Sequence, residues 1–391
     1  MRRGRQSRKT RMRMAIFALI FALAVALRMI SQAGMVIGGR EEPVDTPKAK
    51  RANFTAKCPD TVHTYEITNA RVQWWSAETQ IVAESRGKSM HCLLARAAQR
   101  LGPNINLRLR IDLGDADRKQ VLPWTFVPAI KERLWSQRRT SGPLLFPDFT
   151  FESWPEVHDD PAVAVARVLS SAERYGLPGT PGWQAVRDTR IAWRGNVQKK
   201  KSPQRHRLVS FFEKLNTNLS DIKSIEYDRR GPTVRMRSRN RLTREEHCRF
   251  RFLLHMNGMY QKSYSSAIKW KMLCGALVFV PGNPLFLEWW NYKMEPYQHY
   301  VPYSGEVDLW NKIQNYSVHL QEAERIAQNG FSLAKAAFSD LDTYVDHVLK
   351  QYAALTKGLH QPICTFAESL APTQPKSLQE LQEEYGPTIC S

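Results

Sequence analysis

Residues 246–258 have the sequence EHCRFRFLLHMNG, and residues 269–280 have the sequence KWKMLCGALVFV. Each stretch contains an apolar run of strand length and one cysteine. Between them, MYQKSYSSAI at residues 259–268 is polar and rich in small residues. A strand, a polar loop, a helix and a second strand in this order predict a parallel α/β unit, because parallel strands need a crossover helix.

The alternation of strands and helices continues on both sides of this unit. In the first half, the sequence predicts helices at residues 89–102 and 159–176, a strand at 105–114 and a β-rich stretch at 142–154. In the second half, it predicts strands at 189–196, 221–228, 250–256, 276–280 and 299–303, and helices at 204–216, 265–272, 285–290 and from 307 onward. We therefore predict an α/β protein in which two Rossmann-like, doubly wound domains face a cleft.

The cluster GLPGTPGW at residues 176–183 separates the two halves, because prolines and glycines interrupt regular structure. We place an N-terminal domain at residues 58–182 and a C-terminal domain at 183–345. A C-terminal helix and tail follow at residues 346–391.

The N-terminal region predicts export into the secretory pathway. Residues 1–13 are strongly basic, and residues 14–37 contain the apolar block MAIFALIFALAVAL. Such a block is typical of a signal anchor or of a cleaved signal peptide, and residues 38–57 are polar like a stem. A signal anchor makes the chain a type II single-pass membrane protein with its domains in the lumen of the endoplasmic reticulum or Golgi; a cleaved signal makes it soluble and lumenal.

Cysteines and glycosylation sequons agree with a lumenal location. The six cysteines lack metal-ligand spacing, so we expect disulfides rather than zinc. Asn53, Asn218 and Asn315 each begin a sequon for N-linked glycans. We call the α/β unit at residues 246–280 the opening unit. The two cysteines that flank its polar loop and helix, Cys248 and Cys274, could be bonded to each other.

The formal net charge of +20 favours an anionic partner. A nucleotide sugar, an acidic glycan, a membrane surface and a nucleic acid all meet this condition. The sequence argues against nucleic acid, because it lacks zinc-ligand spacing, a basic helix and an aromatic ribonucleoprotein signature. It also lacks the G-x-S-x-G elbow of serine hydrolases and a G-x-G-x-x-G dinucleotide motif after a strand.

The polar loop of the opening unit has the composition of a phosphate site. In an α/β unit, this loop lies at the carboxyl edge of the sheet, where ligands bind. Gly258 allows a ligand to approach the backbone closely, and Ser265 or Ser266 can cap the following helix. Lys262 and Lys269 add positive charge. The alternative is an ordinary capped helix with surface lysines.

Several blocks of the sequence, in this order, resemble glycosyltransferase family 90. They are HCRFRFLLHMNG (247–258), SYSSAIKWKMLCGALVF (263–279), FLEWWNYKMEPYQHYVPY (286–303), DLWNKIQ (308–314) and ERIAQNGFSLAKAAF (324–338). The family includes Rumi-type protein O-glucosyltransferases and capsule xylosyltransferases. The resemblance implies two Rossmann-like domains in the arrangement called GT-B. It also implies a lumenal location and inverting transfer of glucose or xylose from a UDP-sugar to a protein or glycan hydroxyl, with no metal cofactor.

The resemblance also implies a donor site in the second half. The blocks IAWRGN and KSPQRHRL resemble an aromatic-Arg-Gly block followed by a Ser-Pro-x-Arg turn. This match assigns Arg194, Gly195 and Arg205 to the donor, with Arg205 at the diphosphate. Arginine suits this role, since its guanidinium can donate two parallel hydrogen bonds to phosphate oxygens.

The chain departs from the family in the helix of the opening unit. Where family members carry an arginine, this chain has Ala267, and the nearest cations are Lys269 and Lys262. We take Lys269 as the substitute donor ligand. Cys248 and Cys274 match a cysteine pair of the family.

For the catalytic base, the resemblance points to the first half. INLRLRIDLGDADRKQ at residues 105–120 resembles the family's strand that ends in the catalytic aspartate. The best register assigns Asp115, with Asp112 and Asp117 as alternatives. A carboxylate there accepts the proton of the acceptor hydroxyl as its oxygen attacks the anomeric carbon.

Two other functions stay open. Asp115 and Asp117 form a D-x-D pattern, which in metal-dependent glycosyltransferases binds Mn²⁺ or Mg²⁺ at the donor phosphates. Asp340 and Asp342 form a second copy. Alternatively, the absent arginine indicates a degenerate member that binds glycans or a protein without turnover.

Overall fold

The structure is a computed structural model that describes residues 62–75, 81–113, 125–127, 129–131, 144–152, 161–225, 227–228, 235–236, 240–258, 264–282, 286–356, 374–385 and 390. Its strands are β1 (Val62–Thr68), β2 (Arg71–Trp75), β3 (Leu107–Asp112), β4 (Thr125–Val127), β5 (Ile130–Lys131), β6 (Leu144–Leu145), β7 (Asp188–Gly195), β8 (Ser220–Ser224), β9 (Tyr227–Asp228), β10 (Arg235–Met236), β11 (Phe250–Leu254), β12 (Leu277–Pro281), β13 (Phe286–Leu287) and β14 (Val301–Tyr303). Its helices are α1 (Ile81–Leu101), α2 (Pro161–Arg174), α3 (Pro181–Ala185), α4 (Pro203–Leu215), α5 (Arg244–His247), α6 (Ala267–Leu273), α7 (Glu306–Val318), α8 (Leu320–Ser339), α9 (Leu341–Thr356) and α10 (Leu378–Tyr385), with a 3₁₀ helix at Phe149–Phe151.

The first sheet is mixed, with the strand order β2-β1-β3-β4-β6. Strand β1 is antiparallel to β2 and β3, whereas β3, β4 and β6 are parallel. The β1–β2 hairpin turns at Asn69 and Ala70, which both have positive φ angles, 52° and 59°. Positive φ at both central residues is the geometry of a type I′ turn, which suits the twist of a hairpin. The alternation of strands and helices predicted parallel units, and among the described strands of this sheet β3, β4 and β6 are parallel whereas β1 is not.

The second sheet is parallel throughout, with the strand order β14-β12-β11-β7-β8. Numbered along the chain, this is the order 2-1-3-4-5, one of the two common orders of doubly wound sheets. The direction of winding reverses between β7 and β11. Ligands of such sheets bind at the carboxyl ends of the two strands on either side of this reversal, the topological switch point.

Both faces of the second sheet are covered by helices. Phe252 and Phe279 pack in one apolar cluster with α4, α7 and the first part of α8. Leu253 and Val278 pack on the opposite face with α6 and the last part of α8. Neighbouring residues of one strand thus enter different cores, as the two-residue period of a strand requires. The α/β class and the doubly wound second sheet are as predicted.

The C-terminal part of the chain returns to the first sheet. Helices α9 and α10 pack against α1, and the backbone of Lys376 exchanges hydrogen bonds with Val72 at 2.9 and 3.0 Å. A disulfide joins Cys92 in α1 to Cys390. The apolar core around α1 is continuous with the α6 face of the second sheet. The domain boundaries at residues 58–182 and 183–345 stay a prediction.

The segment LFLEWW at residues 285–290 was predicted to be a helix, and this prediction is wrong. Phe286–Leu287 forms β13, which pairs antiparallel with β5. The Glu288 amide donates to Oδ1 of Asn291 at 2.7 Å, and Nδ2 of Asn291 donates to the Phe286 carbonyl at 3.1 Å. The Asn291 side chain therefore occupies backbone groups that a helix would use.

The N-terminal segments at residues 1–13, 14–37 and 38–57 lie outside the described residues. Among the residues that are described, no helix combines the length and the apolar character needed to cross a bilayer.

Candidate functional site

Arg205 of α4 lies at the switch point and joins the two loops there. Its Nε donates to the carbonyl of Asn257, after β11, at 2.9 Å, and its Nη1 donates to the carbonyl of Asn196, after β7, at 3.1 Å. The guanidinium carbon lies 5.7 Å from the centroid of the Trp193 ring. The arginine predicted to bind the diphosphate thus lies at the carboxyl edge where doubly wound sheets bind ligands.

Lys271 of α6 reaches the same edge of the sheet. Its Nζ donates at 2.6 Å to the carbonyl of Leu254, the last residue of β11. The residue is 6% exposed, and among the described residues no carboxylate forms an ion pair with it. Burial, with the nearby charge of Arg205, lowers the pKa of Lys271 to about 7. The sequence interpretation missed this lysine, although a second lysine in the buried helix AIKWKML was a signal.

His255 follows β11 and is buried beside these two cations. Its carbonyl accepts a hydrogen bond from the Tyr303 hydroxyl at 3.0 Å. Its Nδ1 is buried without a hydrogen-bond partner among the described residues. Burial, together with the charges of Lys271 and Arg205, lowers the pKa of His255 well below its usual range, so the ring is neutral at pH 7. The carboxyl edge therefore combines the guanidinium of Arg205 and the ionisable amine of Lys271 with a neutral imidazole.

Arg194, the other predicted donor arginine, is held by protein groups. Its Nη2 pairs with Oδ2 of Asp221 at 2.9 Å, and its Nε donates to the Asn240 carbonyl at 2.5 Å. Its Nη1 donates to the carbonyls of Trp193 and Asp221. Burial of Asp221 is outweighed by hydrogen bonds from Arg194 and Lys223, which lower the pKa of this carboxyl. These contacts indicate that Arg194 joins β7 to β8, and its role in donor binding stays a prediction.

Gly195 is required by the packing of its own strand. A Cβ atom at this position would lie 2.3 Å from the Trp193 ring, so a larger residue would displace the indole. Gly258 lies in the loop after β11, and Ser265 precedes α6. The N-cap residue of α6 is Ser266, which makes no side-chain capping bond. The expected serine cap is therefore not formed by Ser266, and the donor roles of Gly195, Gly258 and Ser265 stay predictions.

Lys269 faces away from the switch point, toward residues of the first half. Its Nζ lies 2.9 Å from Oδ2 of Asp148 and 3.8 Å from Oε2 of Glu288, and all three side chains are buried. The Nζ also lies 4.4 Å from the centroid of the Phe151 ring. The lysine that we took as the substitute donor ligand is thus held by two carboxyl groups, and these contacts favour a structural role.

Glu288 completes this buried cluster. Burial raises the pKa of Glu288 to about 7, the Asp148 carboxylate adds to the shift, and Lys269 opposes it. The cluster therefore contains one cation and two acids, of which one keeps its proton below about pH 7. The sequence pattern did not predict a role for Asp148 or Glu288, because the importance of each depends on its contact with Lys269 in the folded protein.

The catalytic candidates are only partly described. Asp112 is buried and is the last residue of β3, so it lies at the carboxyl end of that strand. Asp115 and Asp117 lie outside the described residues, as does Lys262. In the second D-x-D copy, Oδ2 of Asp342 pairs with Nη1 of Arg100 at 3.0 Å.

The predicted disulfide between Cys248 and Cys274 is confirmed. It links the residue that follows α5 to the residue that follows α6, and so fixes the end of the lysine-bearing helix. Asn218 and Asn315 are exposed, as glycan acceptors must be. The third sequon asparagine, Asn53, lies outside the described residues, as do the remaining cysteines, Cys58 and Cys364.

Fold and site together define a doubly wound α/β protein with a cationic switch point. The family model of glycosyl transferase family 90 matches residues 118–364. The match covers more than half of the chain, and the chain belongs to this family. The family resemblance of the sequence blocks is thereby confirmed.

One curated relative has low sequence identity to this chain. An O-glucosyltransferase rumi homolog from Anopheles gambiae is 26% identical over 227 residues, which are 54% of this chain and 53% of that protein. The chain thus spans about half the length of the curated relative that it matches.

Solved structures are similar only in part. Crystal structures of Anabaena Alr3699/HepE in complex with UDP and glucose, and with UDP-glucose, have TM-scores of 0.29 and 0.31 and identities of 12% and 10%. The alignment with the first structure covers 48% of this chain and 44% of the HepE chain. The alignment with the second covers 56% of this chain and 58% of the HepE chain.

Proposed function

We propose that this chain is an inverting glycosyltransferase that moves glucose or xylose from a UDP-sugar to a hydroxyl of a protein or glycan acceptor. Membership of family 90 supports the transferase class, and the similarity to a rumi homolog supports a protein O-glucosyltransferase type of reaction. The observation that carries the proposal is the position of Arg205, which bridges the loops after β7 and β11 at the switch point. We propose the GT-B arrangement for the two halves.

The reaction needs a fixed cation at the donor phosphates. As the bond between sugar and phosphate breaks, negative charge grows on the leaving diphosphate, and a cation already in place stabilises the transition state. The carbonyls of Asn196 and Asn257 hold the Arg205 guanidinium in one orientation. Its charge is therefore preorganised for the leaving group.

The reaction also needs a base on the acceptor side. We assign this role to Asp115, with Asp112 and Asp117 as the alternatives. The carboxylate accepts the proton of the acceptor hydroxyl while the hydroxyl oxygen attacks the anomeric carbon from the side opposite the diphosphate. Attack from that side inverts the configuration, and a metal ion is not needed in this scheme.

We further propose that the protein acts in the lumen of the endoplasmic reticulum or Golgi, anchored by residues 14–37. Two disulfides among the described residues, Cys92–Cys390 and Cys248–Cys274, support an oxidising compartment. The exposed sequon residues Asn218 and Asn315 also support it.

The test is a screen of UDP-sugars with the purified protein, in which release of free UDP is measured with and without EDTA. We expect turnover of UDP-glucose or UDP-xylose that survives EDTA. Arg205→Ala should lower kcat by about 100-fold, as loss of one preorganised donor does. The matched control is Arg207→Ala, which removes an exposed arginine of the same helix that pairs with Glu306.

Each failure identifies a different alternative. Loss of turnover in EDTA would favour the metal-dependent D-x-D reaction. No turnover with any UDP-sugar would favour the degenerate binding protein. An equal effect of Arg205→Ala and Arg207→Ala would contradict the placement of the diphosphate at the switch point.

A further inference from the structure

The direction of the Lys271 side chain follows from its place on α6. Residues 267 and 271 are one turn apart and share a face of the helix, whereas residue 269 lies on another side. Helical side chains lean toward the N-terminus of the helix, which brings the ammonium of Lys271 toward the level of Ala267. The ammonium accordingly reaches the Leu254 carbonyl at the carboxyl end of β11.

The surroundings of Lys271 carry no compensating charge among the described residues. The ionisable groups that interact electrostatically with it include Arg205 of α4, His247 of α5, and His255 after β11. Tyr303 of β14 contacts the backbone of His255. Burial lowers the pKa of both histidines, so both are neutral at pH 7. Lys271 therefore lies buried at this edge with no carboxylate partner among the described residues, and keeping its charge there is costly unless an anion binds.

We propose that Lys271, together with Arg205, binds the diphosphate of the sugar-nucleotide donor. This inference rests on the proposed function and names the second cation of that site. Ala267 has no charge, and Lys269 is already paired with Asp148. Lys271 therefore supplies the cation at this site. An ammonium has three N–H donors, so Lys271 keeps its bond to the Leu254 carbonyl while it donates to a phosphate oxygen.

The experiment measures UDP affinity of the full chain by isothermal titration calorimetry at pH 7. We expect Lys271→Met to weaken UDP binding at least about tenfold, as loss of one charge-assisted hydrogen bond does. The melting temperature should not fall, since a buried charge without a carboxylate partner is replaced by an apolar side chain of similar length. The control Lys335→Met, which removes an exposed lysine of α8, should leave the affinity unchanged.

A rescue variant separates a lost charge from altered packing. Adding Ala267→Arg to Lys271→Met returns a cation to the same face of α6 and should restore UDP affinity to within about threefold of the wild type. Lys271→Gln provides the same comparison if the methionine variant does not fold. UDP affinity within twofold of the wild type in a folded Lys271 variant would overturn the proposal.

Proton uptake on UDP binding supplies an independent readout. Because an anion raises the pKa of a neighbouring ammonium, the wild type should take up protons when it binds UDP at pH 8, and Lys271→Met should take up fewer. Equal uptake by both proteins would also overturn the proposal. A wild type that does not bind UDP would instead contradict the proposed function itself.

Discussion

Lys269 and Lys271 lie two residues apart on one short helix, and both are buried, yet their surroundings are opposite. Nζ of Lys269 lies 2.9 Å from Oδ2 of Asp148. Nζ of Lys271 instead donates to the Leu254 carbonyl, and the positive charge of Arg205 lowers its pKa. Residues at this spacing do not share a face of a helix. The partner of a buried cation, rather than its burial or its residue type, therefore determines whether it supports the structure or binds a ligand.

Removing the two charges separately should give the largest difference in stability between variants of this helix. Lys269→Met leaves Asp148 and Glu288 buried without their cation, so we expect it to lower the free energy of unfolding by about 3–5 kcal/mol. Lys271→Met, which breaks no ion pair among the described residues, should change it by less than about 1 kcal/mol. Urea unfolding at pH 7.5 measures both. Equal stability of the two variants would show that Lys269 is not the structural cation.

The disulfide between Cys248 and Cys274 supports both lysines, because it fixes the end of the helix that carries them. The two cysteines are 26 residues apart in sequence. Cross-links of this loop length stabilise proteins by about 3 kcal/mol, mainly by restricting the unfolded chain. We expect the double variant Cys248→Ser/Cys274→Ser to lose this amount in urea unfolding without reductant. A variant as stable as the oxidised wild type would contradict the expectation.

The pH dependence of stability tests the acidic side of the Lys269 cluster. Burial, with help from Asp148, raises the pKa of Glu288 to about 7, while an unfolded glutamate has a pKa of about 4.5. Between these values the folded protein binds a proton that the unfolded chain has released. The stability from this group is therefore fully present below about pH 4.5 and is lost as pH rises through about 7.

We expect the free energy of unfolding of the wild type, relative to Glu288→Gln, to fall between pH 5 and 7 by at most about 1.4 kcal/mol per pH unit. Urea unfolding across this range measures the difference. Lys271→Met is the control, because the pKa of Lys271 is lowered from about 10.5 to about 7 and its contribution changes only above that pH. The same slope in the wild type and in Glu288→Gln would contradict the shift.

Local sequence signals predicted the second sheet well and the first sheet less well. The strands of the second sheet are buried on both faces, so they appear as continuous apolar runs that are separated by helical patterns. The β1–β2 hairpin was missed because its turn contains Ala70 at positive φ, where glycine is the usual signal. The helix predicted at residues 285–290 failed because Asn291 binds the backbone groups of that segment.

Four features could be predicted from the amino-acid sequence: the α/β class, the family, the disulfide between Cys248 and Cys274, and the placement of Arg205 after the first strand of a parallel sheet. These features depend on residues that are close in the chain, or on blocks whose order and spacing carry the information. Which lysine of α6 pairs with an acid became known only from the folded structure. Asp148 is 121 residues from Lys269 in sequence, and no local pattern encodes a contact over that separation. The electrostatic role of a lysine depends on which charged groups lie within a few ångströms of it. The roles of Lys269 and Lys271 therefore depend on how the first half packs against α6.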